Sequence, residues 1–159
     1  MLALRSIFFT LLMPGMVAVV IPWFIAYRNH AIQFSHWTLL RCGGLVLFVV
    51  GAGILLWCIW DFAVFGRGTL APIDPPTQLV VRGPYRYVRN PMYVGGALLV
   101  LGESALFETL VLLVYSAVFI AVAHCFVVLY EEPTLRRQFG ESYKTYCRRV
   151  HRWWPRAPN

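Results

Sequence analysis

Residues 39 to 62 read LLRCGGLVLFVVGAGILLWCIWDF, and this stretch decides the fold. Between Arg41 and Asp61 it carries no charge. About 20 consecutive apolar residues let an α-helix cross the hydrocarbon core of a bilayer, so the stretch reads as a transmembrane helix. Gly43, Gly44, Gly51 and Gly53 give it small residues that allow close helix approach in lipid. Asp61 closes it, within reach of the arginines of the segment that follows.

Outward from this run the chain keeps the same character. Its 159 residues are 59% hydrophobic and 13% charged, with a mean hydropathy of +0.64. A soluble domain carries about 25% charged residues. The length suits one domain, so the apolar excess is assigned to a lipid-facing surface rather than to a very large core. An upstream apolar run spans about residues 7–27, kinked near Pro14-Gly15 and at Pro22. It is too long for the apolar part of a secretory signal and lacks a small-x-small cleavage pattern, so it reads as a retained helix. Downstream come runs at 91–107 and 109–130, expected to form a helical hairpin turning between Glu103 and Glu108. A polar loop, 63–90, and a tail, 131–159, complete the chain. The expected fold class is all-α: a polytopic membrane protein with about four transmembrane helices and an amphipathic C-terminal helix, forming one membrane-embedded domain over 1–159.

Charge orients this arrangement. With four spans, both termini and the middle loop share one side, which holds twelve of the fourteen Lys and Arg residues; only Arg28 and Arg41 lie toward the other. That asymmetry places the loop and both termini in the cytoplasm. Topology and contact with anionic headgroups account for the net charge of +7 without nucleic acid as a partner. No two of Cys42, Cys58, Cys125 and Cys147 stand in a CxxC arrangement, and His30, His36, His124 and His151 show no paired ligand spacing, so no metal site is expected.

Three cytoplasmic elements carry chemical interest. The first is Arg82-Gly-Pro-Tyr-Arg-Tyr-Val-Arg-Asn-Pro-Met-Tyr93, with three arginines and three tyrosines at the start of a transmembrane helix. Pro91 fits the first turn of that helix, and Asn90 is the natural N-cap. Interfacial anchoring by Tyr and Arg explains part of this composition. The second element is Glu131-Glu132, adjacent carboxylates at a helix C-terminus, where they oppose the helix dipole. The third is the tail stripe Leu135, Phe139, Tyr143, Tyr146 and Val150 at helical spacing, with Gly140 expected to bend the helix. That helix reads either as lying on the membrane or as folding back over a site.

Together, Arg89 to Gly95 (Arg-Asn-Pro-Met-Tyr-Val-Gly), Glu131-Glu132 and Phe139 to Tyr146 (Phe-Gly-x-x-Tyr-x-x-Tyr) resemble the isoprenylcysteine carboxyl methyltransferase and phospholipid methyltransferase family. The resemblance implies a membrane methyltransferase that uses S-adenosylmethionine, its pocket built by the middle loop, the last hairpin and the tail. It implies cofactor-binding roles for Gln78, Leu79, Val80 and Tyr85, for Asn90, Pro91, Met92 and Tyr93, and for Glu131. Asn90 stands where the family commonly has histidine, and asparagine cannot titrate. Val127 stands where prenylcysteine enzymes carry a substrate-binding arginine, which argues against a prenylcysteine carboxylate as acceptor.

The implied reaction is displacement at the methyl carbon of a sulfonium, driven mainly by alignment of the nucleophile. Glu131 is assigned to the cofactor amine, and Arg89 or backbone amides to its carboxylate. Glu132 is assigned as the base if the nucleophile is an amine; a carboxylate or thiolate needs none. The expected partners are membrane lipids and a lipophilic or small-molecule acceptor. Two other readings remain open: an NADPH-dependent membrane reductase of the steroid-reductase type, and a non-catalytic membrane scaffold.

Overall fold

The computed structural model describes residues 15–29, 31–32, 36–65, 79 and 81–155. Gln78 and Val80 lie outside the described residues, as do residues 7–14 of the first apolar run and residues 66–78 of the loop. A π-helical turn, Met16–Val20, leads into α1 (Ile21–Arg28). Then come α2 (Leu39–Phe65), a 3₁₀ turn (Gly83–Arg86), α3 (Pro91–Phe107) and α4 (Leu110–Phe126). A second π turn, Val127–Glu131, runs directly into α5 (Glu132–Arg149). Among the described residues the only β feature is an isolated parallel bridge between Val88 and His151, so the chain is all-α.

Two helical stretches are long and apolar enough to cross a membrane, Leu39–Asp61 and Leu110–Arg149. The apolar helices Met16–Arg28 and Pro91–Phe107 are shorter. The 17 residues of α3 rise only about 25 Å at ~1.5 Å per residue, against ~30 Å of hydrocarbon. Large apolar side chains stay exposed along α2 (Val46, Val49, Leu56, Trp60) and α4 (Leu110, Val114, Val118, Val122), as expected for lipid-facing surfaces.

Glycine sets how α2 meets α3. A Cβ on Gly44 would lie 2.6 Å from the Leu106 backbone nitrogen, and one on Gly51 would lie 2.6 Å from that of Leu99. Opposite them, a Cβ on Gly102 would lie 2.5 Å from the Phe48 nitrogen, and one on Gly95 would lie 3.0 Å from the Gly51 carbonyl. The two backbones therefore touch at two levels, one heptad apart on each helix. Only two of the four α2 glycines serve this contact. Nothing lies within 4 Å of a Cβ placed on Gly43 or Gly53, because they fall on other faces of the helix. Beside the seam, Ala18, Leu55, Leu99 and Val100 form a small core that Met92, Tyr115 and Phe119 complete. Tyr115 donates its hydroxyl hydrogen to the Val17 carbonyl in the first π turn.

The hairpin turns at the far end of the expected 103–108 stretch, directly after the helix that ends at Phe107. Glu103 is not at the turn but inside α3 and buried, and the reversal falls at Glu108, which adopts a left-handed conformation with φ 51°. Glu108 accepts from Thr38 and pairs with Arg41 at 3.0 Å, fixing the end of the bundle opposite the middle loop.

In α5 the backbone leaves helical geometry at Gly140, with φ 53° and ψ −123°, a region L-residues rarely adopt. Beyond this kink Tyr143, Tyr146 and Val150 are buried, and Leu79, Leu135, Phe139 and Cys147 pack against them. The tail stripe thus folds onto itself and the loop, while Arg136, Arg137, Lys144, Arg148 and Arg149 remain exposed.

Candidate functional site

At the loop end of the bundle, the chain enters α3 through a turn that only glycine can begin. Gly83 has φ +50°, and a Cβ there would lie 2.0 Å from Asp61 Oδ2. Asp61 itself has no ion pair with an arginine among the described residues, contrary to what its position at the loop suggests. The turn presents Tyr85, whose hydroxyl hydrogen-bonds the Cys58 thiol. The Tyr85 carbonyl accepts the Tyr146 hydroxyl at 2.7 Å. Burial pushes the Tyr85 hydroxyl well above its ordinary pKa, and the Glu131 carboxylate pushes the same way.

The tail then straps this segment down. The Arg89 N–H donates to the His151 carbonyl at 2.9 Å, and Asn90 Nδ2 donates to the Arg152 carbonyl at 3.2 Å. Asn90 occupies the N-cap position of α3 but its side chain makes no capping bond, because this link to the strap engages it instead. Trp153 continues the strap, its ring 5.8 Å from that of His124 on α4.

Two consecutive glutamates meet the first turn of α3 in different ways. Pro133 lacks the N–H that an α-helix would donate to the Leu129 carbonyl, and the chain widens into the π turn Val127–Glu131 there. Glu131 Oε2 accepts the Tyr93 hydroxyl at 2.9 Å. Glu132, 3% exposed, takes the arginines. Its Oε1 accepts from Arg89 Nη1 at 2.9 Å and Arg152 Nε at 2.7 Å, and its Oε2 accepts from Arg152 Nη2 at 2.9 Å. Arg136 approaches to 3.7 Å. Arg89 Nη1 also donates to Cys147 Sγ at 3.1 Å, whereas Arg89 Nε is buried without a partner.

These neighbours drive the two carboxyl groups apart. Burial alone would raise the Glu132 pKa, but the Arg152 hydrogen bond and the charges of Arg89, Arg152 and Arg136 outweigh it and hold the group below the usual carboxylate range. Burial raises Glu131, and the Glu132 charge adds to that effect; the Tyr93 hydrogen bond offsets only part of it. Two identical side chains, adjacent in sequence, so differ in charge environment as well as in partners.

The sequence-predicted residues distribute as follows. Arg89, Tyr93, Glu131 and Glu132 are in direct contact as pairs, and Tyr85 and Asn90 are tied to the same region. Pro91 is buried in the first turn of α3, Met92 packs on the bundle core, and Leu79 packs on the tail core. Arg152 and Cys147 went unread as site residues, because no local pattern distinguishes them from other residues of a basic, tyrosine-rich tail; Tyr146 was read only as part of the tail stripe and the family motif, without its bond to the Tyr85 carbonyl. Among the described residues, no group of three His, Cys, Asp or Glu stands close enough to hold a metal ion.

No solved structure matches this chain. A curated relative, the nickel-cobalt-cadmium resistance protein NccN of Alcaligenes xylosoxydans xylosoxydans, is 31% identical over 113 residues, which make up 71% of this chain and 47% of the relative. The chain thus matches about half the length of that relative. The family model described as phospholipid methyltransferase matches residues 39–142, from the start of α2 to just past the Gly140 kink, and so takes in the glycine seam, the Arg89–Tyr93 turn and both glutamates. On that match, the chain belongs to the phospholipid methyltransferase family.

Proposed function

We propose that this chain is a multi-pass membrane methyltransferase that moves the methyl group of S-adenosylmethionine to a lipophilic or small acceptor at the cytoplasmic face. One observation carries the reading. Glu131 is a carboxylate with one neutral hydrogen-bond donor and no cation, and Arg89, beside Glu132, keeps a buried Nε with no acceptor. The pair complements a ligand that bears both an ammonium and a carboxylate, which is the amino acid end of the cofactor. The residues therefore fit the group.

In this reading Glu131 holds the amine and Arg89 Nε the carboxylate. Tyr85, Tyr93, Asn90 and Pro91 form the walls, with Gln78, Leu79 and Val80 contributed by the loop. The cofactor supplies an electrophilic methyl on a sulfonium. Glu132 is given a positioning role in place of a base: three arginines already surround it, and its pKa lies below the usual range. Its work is to fix Arg89 and the Arg152 strap. The strap and the bilayer exclude water, and a lipophilic acceptor enters from the membrane.

The test is thermal stability of the purified protein in detergent with S-adenosylhomocysteine, S-adenosylmethionine or NADPH. A ligand at a hundred times its dissociation constant adds about 2.7 kcal/mol. Stabilisation by the adenosyl ligands, lost in Glu131→Ala, is the expected result. Stabilisation by NADPH alone overturns the reading in favour of a reductase. No response to any of the three, with Glu131→Ala silent, favours the scaffold.

A further inference from the structure

We propose that Glu103 anchors a monovalent-cation site inside the bundle, separate from the site at the loop end. Glu103 stands ten residues beyond Tyr93 on α3, about 15 Å along the helix at ~1.5 Å per residue. The proposal therefore does not rest on the methyl-transfer reading. Glu103 is 3% exposed, and its Oε2 is buried with no hydrogen-bond partner. No lysine, arginine or histidine pairs with it among the described residues. An ionisable group left unpaired in the interior of a membrane bundle is costly, and such groups mark ion or ligand sites.

Three elements converge on this carboxyl group. On α3, Glu103 lies one turn beyond Leu99 and Val100 and shares their face; that cluster includes Ala18, and Tyr115 packs against it. The α4 helix runs back along α3, and the Ser116 hydroxyl donates to the Val100 carbonyl at 3.0 Å. Helical side chains tilt toward their own N-terminus, so in this antiparallel pair Glu103 and Tyr115 lean toward each other. Tyr115 is within electrostatic reach of Glu103. In the first π turn, Pro22 lacks the N–H that the π register would return to the Val17 carbonyl. Tyr115 donates its hydroxyl hydrogen there instead.

The hydroxyl donors of this corner are thus spent on backbone: Tyr115 on Val17, Ser116 on Val100 and Leu112, Ser104 on Leu101. What remains beside the carboxylate is oxygen lone pairs, on the Tyr115 hydroxyl and the Val17 carbonyl. Oxygen donors without nitrogen or sulfur suit a hard cation. Freed carbonyls beside an interrupted helix, together with a buried carboxylate, are a recurring way of holding sodium inside a bilayer. One carboxylate balances one positive charge, whereas a divalent ion would keep an unpaired charge in the low-dielectric interior. The fit is to an alkali cation on Glu103 Oε2, Tyr115 Oη and the Val17 carbonyl, which ties the first helix to the α3–α4 hairpin.

The experiment measures melting temperature in detergent, in alkaline buffer, against sodium, potassium, calcium or N-methylglucamine chloride at matched ionic strength. Retention of radioactive sodium by wild type, Glu103→Gln and Tyr115→Phe is measured alongside. The expected result is saturable stabilisation of wild type by sodium or potassium above the N-methylglucamine control, with one ion retained per chain. Glu103→Gln should lose both responses, and Tyr115→Phe should bind about tenfold more weakly, the size of one lost contact to a charged group. An equal response to all four salts overturns the proposal, and so does a response to calcium alone. A sodium response that survives in Glu103→Gln overturns it too. Should Glu103→Gln elute as aggregate, Tyr115→Phe decides: unchanged sodium affinity in that variant overturns the site.

Discussion

The α2–α3 seam and the Glu132 strap are both close contacts, but they are held by opposite means. At the seam, Gly44, Gly51, Gly95 and Gly102 bring two backbones together with no charged group involved. At the strap, Glu132 is buried among Arg89, Arg152 and Arg136, drawn from the loop, the tail end and its own helix. The seam depends on the absence of atoms, so adding any atom is harmful. The strap depends on balanced charge, so removing one partner leaves the others unsatisfied. The first contact joins neighbouring helices inside the family match; the second recruits Arg152 from beyond residue 142, where that match stops.

Breaking the seam should have the largest effect. Gly51→Leu places a side chain where even a Cβ meets the Leu99 nitrogen at 2.6 Å, and backbone on both sides cannot yield. The expected outcome is loss of monodisperse protein on size exclusion in detergent. Breaking the strap comes next. Glu132→Ala leaves Arg89 and Arg152 facing each other with no counter-charge, and removing one partner of a buried ion pair costs about 3–5 kcal/mol. A lower melting temperature checks this, and Arg152→Ala should cost less because Arg89 and Arg136 still serve Glu132.

A smaller effect sharpens the contrast between the two glutamates. Glu132 has a lowered pKa, so its stabilisation is complete above the unfolded carboxylate value and disappears as pH falls below it. Glu131 has a raised pKa, so the folded state favours its protonated form and stability declines as pH rises through the range between the unfolded and folded values. Glu131→Gln should therefore melt at a higher temperature than wild type at neutral pH in the absence of ligand, whereas Glu132→Gln should melt lower. The same titration predicts that S-adenosylhomocysteine binding weakens as acid protonates Glu131, measurable by calorimetry across pH. The smallest effect is the control for the seam: Gly43→Ala and Gly53→Ala meet nothing within 4 Å and should shift stability by about 0.5 kcal/mol or less.

Particular residues explain what could be read in advance. The helix-forming runs were legible because an apolar stretch such as 42–60 has few other stable arrangements in water or lipid. The Gly140 kink and the packed tail stripe were legible because glycine and a spacing of three to four are local signals. The pairing of Arg89 with Glu132, and of Tyr93 with Glu131, was legible only as proximity. Sequence could not show that a π turn before Pro133 would send the two glutamates to different partners. Asp61 read as a residue awaiting an arginine of the loop; among the described residues it pairs with none and packs on Gly83, and the turn that puts Gly83 there depends on its positive φ.

Sequence by itself determined that this chain forms apolar helices with a basic, tyrosine-rich face at one end, because hydropathy, periodicity and charge asymmetry are properties of consecutive residues. Only tertiary structure decided which glycines touch, which glutamate takes the arginines and where the tail ends. Those outcomes depend on helix rotation and on contacts between residues far apart in the chain, from Arg89 to Arg152, and a local pattern carries no information about rotation or long-range register.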